Sequence, residues 1–406
     1  MVCHSFNPLS VEHQADPYGS YERMVRNGPV YRTRAGIWLV CGNRLATEVL
    51  KNKSFRHDYA TSMARTYGLA TPQQHHSLRL LQQSFFHDNN KADGAIRRHF
   101  ARMLAPARLG TETAAIRLIR DRLLEKHLRT AAAGSLTEFS VAYALAILGA
   151  LLGISADLLT DLPAVSTALL AALDCRKLSL AELADLDART EAAAAAFFEF
   201  FQSERARDSE CVLGLLQIAR QYELSLESAF SDLLFVLTVG FQSTASLIAE
   251  VFWHLTRNPQ TVETLLTDSQ HEPGAVDEFI RLFPSAHFVT RWVDDNVNIQ
   301  GIQFARSDTV IVIIPAANRD PNVYPLPGTF MLGRPGHSRS LSFSGGSHRC
   351  IGAALAQYEL DIALEAFLQH RGALLLANSD APRWQHLGVF RVLEPSVSPT
   401  RCQELP

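Results

Sequence analysis

Ten residues near the C-terminus, Phe343-Ser344-Gly345-Gly346-Ser347-His348-Arg349-Cys350-Ile351-Gly352, place one cysteine in a glycine-rich loop. The run that follows, Ala353 to Glu359, is made of helix formers. Glycines carry no Cβ, so such a loop can turn tightly and approach a large flat ligand. Amides of the loop and of the first helical turn then point at the sulfur, stabilising a thiolate and tempering its charge. A thiolate held this way is a strong axial donor to haem iron, an arrangement that favours O–O bond cleavage. The competing reading is a buried, inert thiol.

The other cysteines (Cys3, Cys41, Cys175, Cys211 and Cys402) are scattered without a CxxC pair or zinc-like spacing. In a chain of 406 residues they read as reduced thiols and not as a disulfide framework. A formal net charge of −3 gives no basic excess to argue for nucleic acid. The residues from Met1 to Pro17 are polar and lack a signal core. The longest apolar run, Val141 to Gly153, falls short of the ~20 residues that cross a bilayer. A soluble cytoplasmic protein with no membrane contact is the expectation.

These residues must be positioned by a mainly helical body. From about Thr111 to Arg257 the pattern is almost wholly helical, with Leu136 to Leu152 apolar nearly all round, as in a buried helix. Ala181 to Phe201 is a second good helix former. Ser228 to Leu255 is a long helix interrupted at Gly240 and stopped by Asn258-Pro259. Pro29 to Thr33 and Gly36 to Cys41 read as a small hairpin, and Arg44 to Lys51 as a helix. Strand-like pieces return at Phe288 to Val293, Val297 to Ile302 and Thr309 to Ile314. No repeat and no Pro/Gly/Ser linker divides the chain, so one domain is expected over 1–406.

Glu278 and Arg281 share one helical face, where an exposed pair contributes well under ~1 kcal/mol. Together with the spacing Phe-x-x-Gly-x-His-x-Cys-x-Gly, however, this Glu-x-x-Arg resembles the cytochrome P450 family. The resemblance covers essentially the whole chain, from Asp16-Pro17-Tyr18 onward, and departs at Ser344, where the family usually has glycine. It implies the mainly α P450 fold with a smaller β part, a triangular helical body holding haem between a long distal helix and the cysteine loop. It also implies a haem b cofactor (iron protoporphyrin IX) ligated by Cys350, with Phe343 and Gly346 shaping the loop. Glu278, Arg281 and Arg334 would form a buried network bracing that loop, and Asn318-Arg319-Asp320-Pro321 matches a further family segment. His75, Arg79, Arg291 and His348 fall where the family places partners of the haem propionates, a task suited to bidentate Arg.

The long helix departs most from the family pattern. Gly240 fits a position that leaves room for dioxygen, but Gln242 stands where an acid is usual, and Ser243 where the alcohol is threonine. An amide cannot take up and release a proton as a carboxylate does. Ser243, or Thr244 beside it, is left as the hydroxyl. Alignment to the family places the substrate against the loop from Asp58 to Gln74, Leu169 to Leu180, Phe241, Thr244, and two later segments. These hold Ser285, His287, Phe288 and Val289, then Leu387 to Arg391 with Val389 and Phe390. His287 reads equally as a structural histidine.

The implied activity is a monooxygenase that hydroxylates a small specialised metabolite with dioxygen. Its two electrons would come from a separate ferredoxin (with its ferredoxin reductase) or flavodoxin. Arg349, Arg97, Arg98 and Arg102 are candidate docking cations on a monomer. Oxidative coupling or cross-linking of an aromatic or carrier-bound substrate is the enzymatic rival, motivated by Gln242. A haem-based ligand sensor is the non-enzymatic one.

Overall fold

The computed structural model describes residues 7, 10–57, 67–68, 74–85, 92–129, 136–160, 162–172, 178–267, 274–336, 339–377, 382–387 and 389–393. In chain order the elements begin with α1 (Val11–Ala15), α2 (Tyr18–Asn27), β1 (Val30–Arg32), β2 (Trp38–Val40), α3 (Asn43–Lys51) and β3 (Phe55–Arg56). The helices α4 (His76–Gln83), α5 (Asp93–Met103), α6 (Pro106–Arg129), α7 (Leu136–Leu152), α8 (Ala156–Leu159) and α9 (Leu162–Ala172) follow. Next come α10 (Leu180–Gln202), α11 (Glu210–Gln221), α12 (Leu226–Arg257), α13 (Pro259–Thr267) and α14 (Ala275–Leu282). The chain then forms β4 (Phe288–Val293), β5 (Val297–Ile299), β6 (Ile302–Phe304), β7 (Thr309–Ile313) and α15 (Ile314–Ala317). It closes with α16 (Ala353–Ala377), β8 (Trp384–Leu387) and β9 (Phe390–Leu393).

The chain divides into two compact units. Unit one takes residues 1–58, 250–350 and 383–392. Its sheet has the order β1-β2-β7-β4-β3, with β2 and β7 parallel and the other pairs antiparallel. Side chains alternate across it, as strand geometry requires. Trp38, Val40, Val310 and Val312 join α3 residues Leu45 and Val49 in one core. Leu39 and Ile313 join α2 residues Tyr21, Met24 and Val25 in the other. Val297 to Ile302, expected as a strand, is one arm of a hairpin and its turn. Gln300 and Gly301 both have positive φ, the geometry of a two-residue hairpin turn.

Unit two takes residues 59–249, 351–382 and 393–406 and is helical. α7 is buried on most of its surface and has the bounds expected from its composition. Tyr143 on α7 donates to the Glu359 carbonyl on α16. Arg120 on α6, itself buried, donates to the Ile362 carbonyl and to Glu365. α12 runs unbroken through Gly240, because packing outweighs the ~1 kcal/mol helix penalty of one glycine. By length and composition α12 is apolar enough to cross a membrane, but 72% of that stretch is buried inside the protein, as in a core helix.

Candidate functional site

The cysteine loop belongs to unit one. Cys350 is exposed, while Cys41 and Cys211 are buried and their thiols are pushed up to about 12 by desolvation. The backbone of the loop is closed by Cys350 N–H donating to Phe343 O at 2.9 Å. Ser344 N–H donates to Leu341 O at 2.8 Å. Gly346 has φ +68°, and a Cβ there would overlap the Leu50 carbonyl on α3, so only glycine lets the loop lie this close. Ser344 also sits in the left-handed region, φ 58°, and its buried Oγ has no partner.

Beneath the loop lies the buried ion cluster. Arg281 grips Glu278 with two bonds of 2.8 Å, and Arg334 Nε adds a third at 2.7 Å. All three side chains are at most 1% exposed. The remaining guanidinium hydrogens go to backbone carbonyls: Asn318 and Pro327 for Arg281, Pro325, Leu326 and Thr329 for Arg334. Burial of two cations against one carboxylate is tolerable because most of their donors are met by the carboxylate and by backbone carbonyls. From this cluster Asn318 reaches the loop. Its Nδ2 donates to Arg281 O and to Ser342 Oγ, and its Oδ1 accepts from Leu341 N–H at 2.8 Å. Asp320, in the same segment, accepts the first amide of α3 at 2.9 Å.

Arg291 is 2% exposed and donates to the Thr290 carbonyl. The His348 ring lies 5.7 Å from that of His57. Phe288 and Val289 point to opposite faces of β4, into the α2 core and against the α3 core respectively. Both contribute to packing. His287 sits in a buried cluster of histidines and tyrosine. It is fully buried, and Tyr21 Oη lies 2.9 Å from both His287 Nδ1 and His13 Nε2, donating to one and accepting from the other. The His386 ring stands 5.1 Å from His287 and 5.5 Å from His13. Val389 packs on the same core, and Ser285 O accepts from Arg391 N. Phe390 is half-buried and bridges to Ala286. Most of the loop from Asp58 to Gln74 lies outside the described residues.

In unit two, His75 is engaged by its own unit. Its Nδ1 is 2.6 Å from Asp187 Oδ2 on α10, whose other oxygen accepts from Ser77 N–H and Ser77 Oγ. Burial opposes the Asp187 charge, but the Ser77 and His75 bonds outweigh it and hold the carboxyl below its usual range. Arg79 donates to His76 Nδ1 at 3.2 Å.

α12 sorts the candidate catalytic residues by face. Phe241, Gln242 and Thr244 are buried. Thr244 hydrogen-bonds Glu359 of α16, whose carboxyl is pushed well above its usual range by burial. Ser243 is half-exposed, and its hydroxyl donates back to Val239 O at 2.7 Å. Gly240 packs closely on α7: a Cβ there would stand 2.9 Å from Leu148 Cδ2. A cleft opens along the same helix, lined by Ser231, Leu234, Phe235, Thr238 and Val239 of α12 with Leu80, Leu81, Ser84, Leu169 and Leu170. Of these, only the segment around Leu169 was anticipated. The missed signal is the spacing 231, 234, 235, 238, 239, one helical stripe of which Phe235, Val239 and Ser243 stay open.

The cytochrome P450 family model matches residues 273–388, which contain the ion cluster and the cysteine loop. A putative cytochrome P450 133B2 of Xylella fastidiosa is 26% identical over 385 residues, 93% of this chain and 94% of that protein. The 6-deoxyerythronolide B hydroxylase of Saccharopolyspora erythraea is 33% identical over 174 residues, 42% of each chain. Among solved structures, P450BioI in complex with hexadec-9Z-enoic acid ligated acyl carrier protein superposes with a TM-score of 0.82 at 22% identity. The match covers 95% of this chain and 98% of that one.

Proposed function

The chain belongs to the cytochrome P450 family of haem-thiolate monooxygenases, and from that premise we propose that it hydroxylates a small specialised metabolite. Haem b, when bound, supplies the iron at which dioxygen is activated with two electrons. The exposed Cys350 thiol, on a backbone closed at Phe343, fits the role of its axial ligand. Arg291 and His348 of the same unit, with Arg79, are proposed to hold the propionates. His75 is proposed to orient Asp187, which caps α4. The electron donor in this reading is a separate ferredoxin or flavodoxin.

Ser243 is the hydroxyl proposed to handle protons during turnover. The observation that carries this is the division of labour on α12, where Thr244 is committed to Glu359 and Ser243 stays on the open face. Gln242, buried and unable to titrate, is left with a structural role, so protons must travel by way of water and the Ser243 hydroxyl.

Two variants test this. Cys350→Ser should abolish the red-shifted ferrous–carbonyl band of thiolate ligation. Ser243→Ala should divert most reducing equivalents to peroxide, while Thr244→Val should lower stability and leave coupling near wild type. Equal coupling in Ser243→Ala and the parent protein would refute the assignment.

A further inference from the structure

Helix α1 is docked on unit one through a titratable side chain. It has five residues, too few to hold a helix alone. His13 is its one buried side chain, while Val11, Glu12 and Ala15 are exposed. The His13 ring stands edge-on to Tyr21 of α2 at 4.9 Å between centroids, with His386 of β8 beyond it.

The hydrogen bonds of this cluster fix where each hydrogen sits. Ser20 has one hydroxyl hydrogen, which it donates to the Pro17 carbonyl at 2.7 Å. It must then accept from His13 Nδ1 at 3.0 Å, so His13 carries its hydrogen there and leaves Nε2 bare. Tyr21 Oη donates to that Nε2 at 2.9 Å, and therefore accepts from His287 Nδ1 at the same distance. All the donors thus point one way, from His287 out to Pro17, and the links hold only while His13 is neutral. A proton on His13 Nε2 would meet the Tyr21 hydrogen head-on. Tyr21 cannot turn that hydrogen round, because His287 Nδ1 already points one at it.

The surroundings do little for an added charge. Arg391 of β9 and Arg319, just past α15, are buried cations, and His287 and His386 supply no counter-charge. Glu250 of α12 is taken by Arg391 and Tyr18. Asp16, next to α1 in the chain, is the carboxylate that favours a protonated His13. Of the three histidines His13 holds the first proton, since His287 is fully buried and His386 is lowered further, to about 3.

We propose that these hydrogen bonds form an acid latch: protonation of His13 breaks them and releases α1 from unit one, while α2 and the sheet stay folded. Burial, then Arg391, lowers His13 to about 4 when docked, against an ordinary imidazole value of about 6.5 when released. The released state binds the extra proton. Docking is therefore complete above pH 6.5 and weakens by up to about tenfold per pH unit as pH falls from 6.5 toward 4.

The test is hydrogen–deuterium exchange of the purified holoenzyme at pH 7, 6 and 5, corrected for the intrinsic pH dependence of exchange and read by mass spectrometry. The Gln14 amide, bonded to Ser10 O, and the Asp16 amide, bonded to Glu12 O, report on α1. Their protection should fall about tenfold between pH 6 and pH 5, with α2 and β4 unchanged. His13→Gln, which keeps an acceptor for Tyr21 and does not titrate, should remove the dependence. Constant α1 protection in the parent would overturn the latch, and so would α2 and β4 losing protection in step with α1. The same pH dependence in His13→Gln would assign the effect to another group. The parent's own profile decides the matter even where the variant fails to dock α1.

Discussion

Asn318 accepts the Leu341 amide at 2.8 Å, and through this bond the buried ion cluster reaches the cysteine loop. Glu278 and Arg281 do not touch Cys350. They hold Asn318, which holds Leu341 and Ser342, and Phe343 then closes the loop on the Cys350 amide.

Asn318→Ala should therefore act on the loop at a distance. It leaves the Leu341 amide unmet in the interior and removes two donated bonds, a loss of about 2–3 kcal/mol. Urea unfolding would show the lower midpoint, and haem content per chain should fall more than in a control core variant of equal stability. Full haem occupancy at reduced stability would mean the loop does not depend on this link.

Ser344 breaks a local rule without an evident gain, being left-handed with an unpartnered buried hydroxyl. Glycine relieves a left-handed conformation that costs other residues roughly 1–2 kcal/mol. Ser344→Gly is expected to raise stability by about 1 kcal/mol, seen as a rise of a few degrees in Tm.

Gly240→Val should drive a methyl into Leu148 and cost about 2 kcal/mol. Leu148→Ala alone opens a cavity, but the two changes together should be less harmful than their sum by 1 kcal/mol or more. A double-variant cycle read by thermal unfolding checks this. Additivity would show that Gly240 is not there for Leu148.

Acid should weaken unit one through its histidines. Burial, then Arg391, lowers His13 to about 4. Burial, then His13 and Arg391, lowers His386 to about 3, and His287 is also held well below its usual value, chiefly by burial. All three are neutral when folded and take up protons on unfolding near pH 6.5 and below, so the unfolded state binds more protons. Stability then falls as pH drops from 6.5 toward 4, by about 1 kcal/mol per pH unit for each histidine. His386→Phe, which keeps a ring stacked on Phe288, should flatten the pH dependence over that window. Denaturant melts of both proteins at pH 7 and pH 5 would show it, and identical slopes would remove His386 from the account.

Much of this protein was legible in the chain. The cysteine loop, the Glu-x-x-Arg and the apolar α7 are local patterns, in which a few neighbouring residues suffice because turn chemistry and helical period act over short range. Gly240 was legible only in part: the local pattern shows a missing side chain but not the direction in which it is missing. Only packing gave that direction, by setting Leu148 against it. For His287 the chain left two readings, a pocket residue or a structural histidine, and only the structure shows the Tyr21 hydroxyl 2.9 Å from its Nδ1.

By itself the sequence determined that this chain presents a cysteine in a tight glycine loop on a mainly helical protein, since those properties belong to adjacent residues. The tertiary structure alone decided which hydroxyl of α12 stays open and which is committed to Glu359. Those depend on atoms brought together from helices far apart in the chain, and contacts of that kind leave no periodic trace in the order of residues.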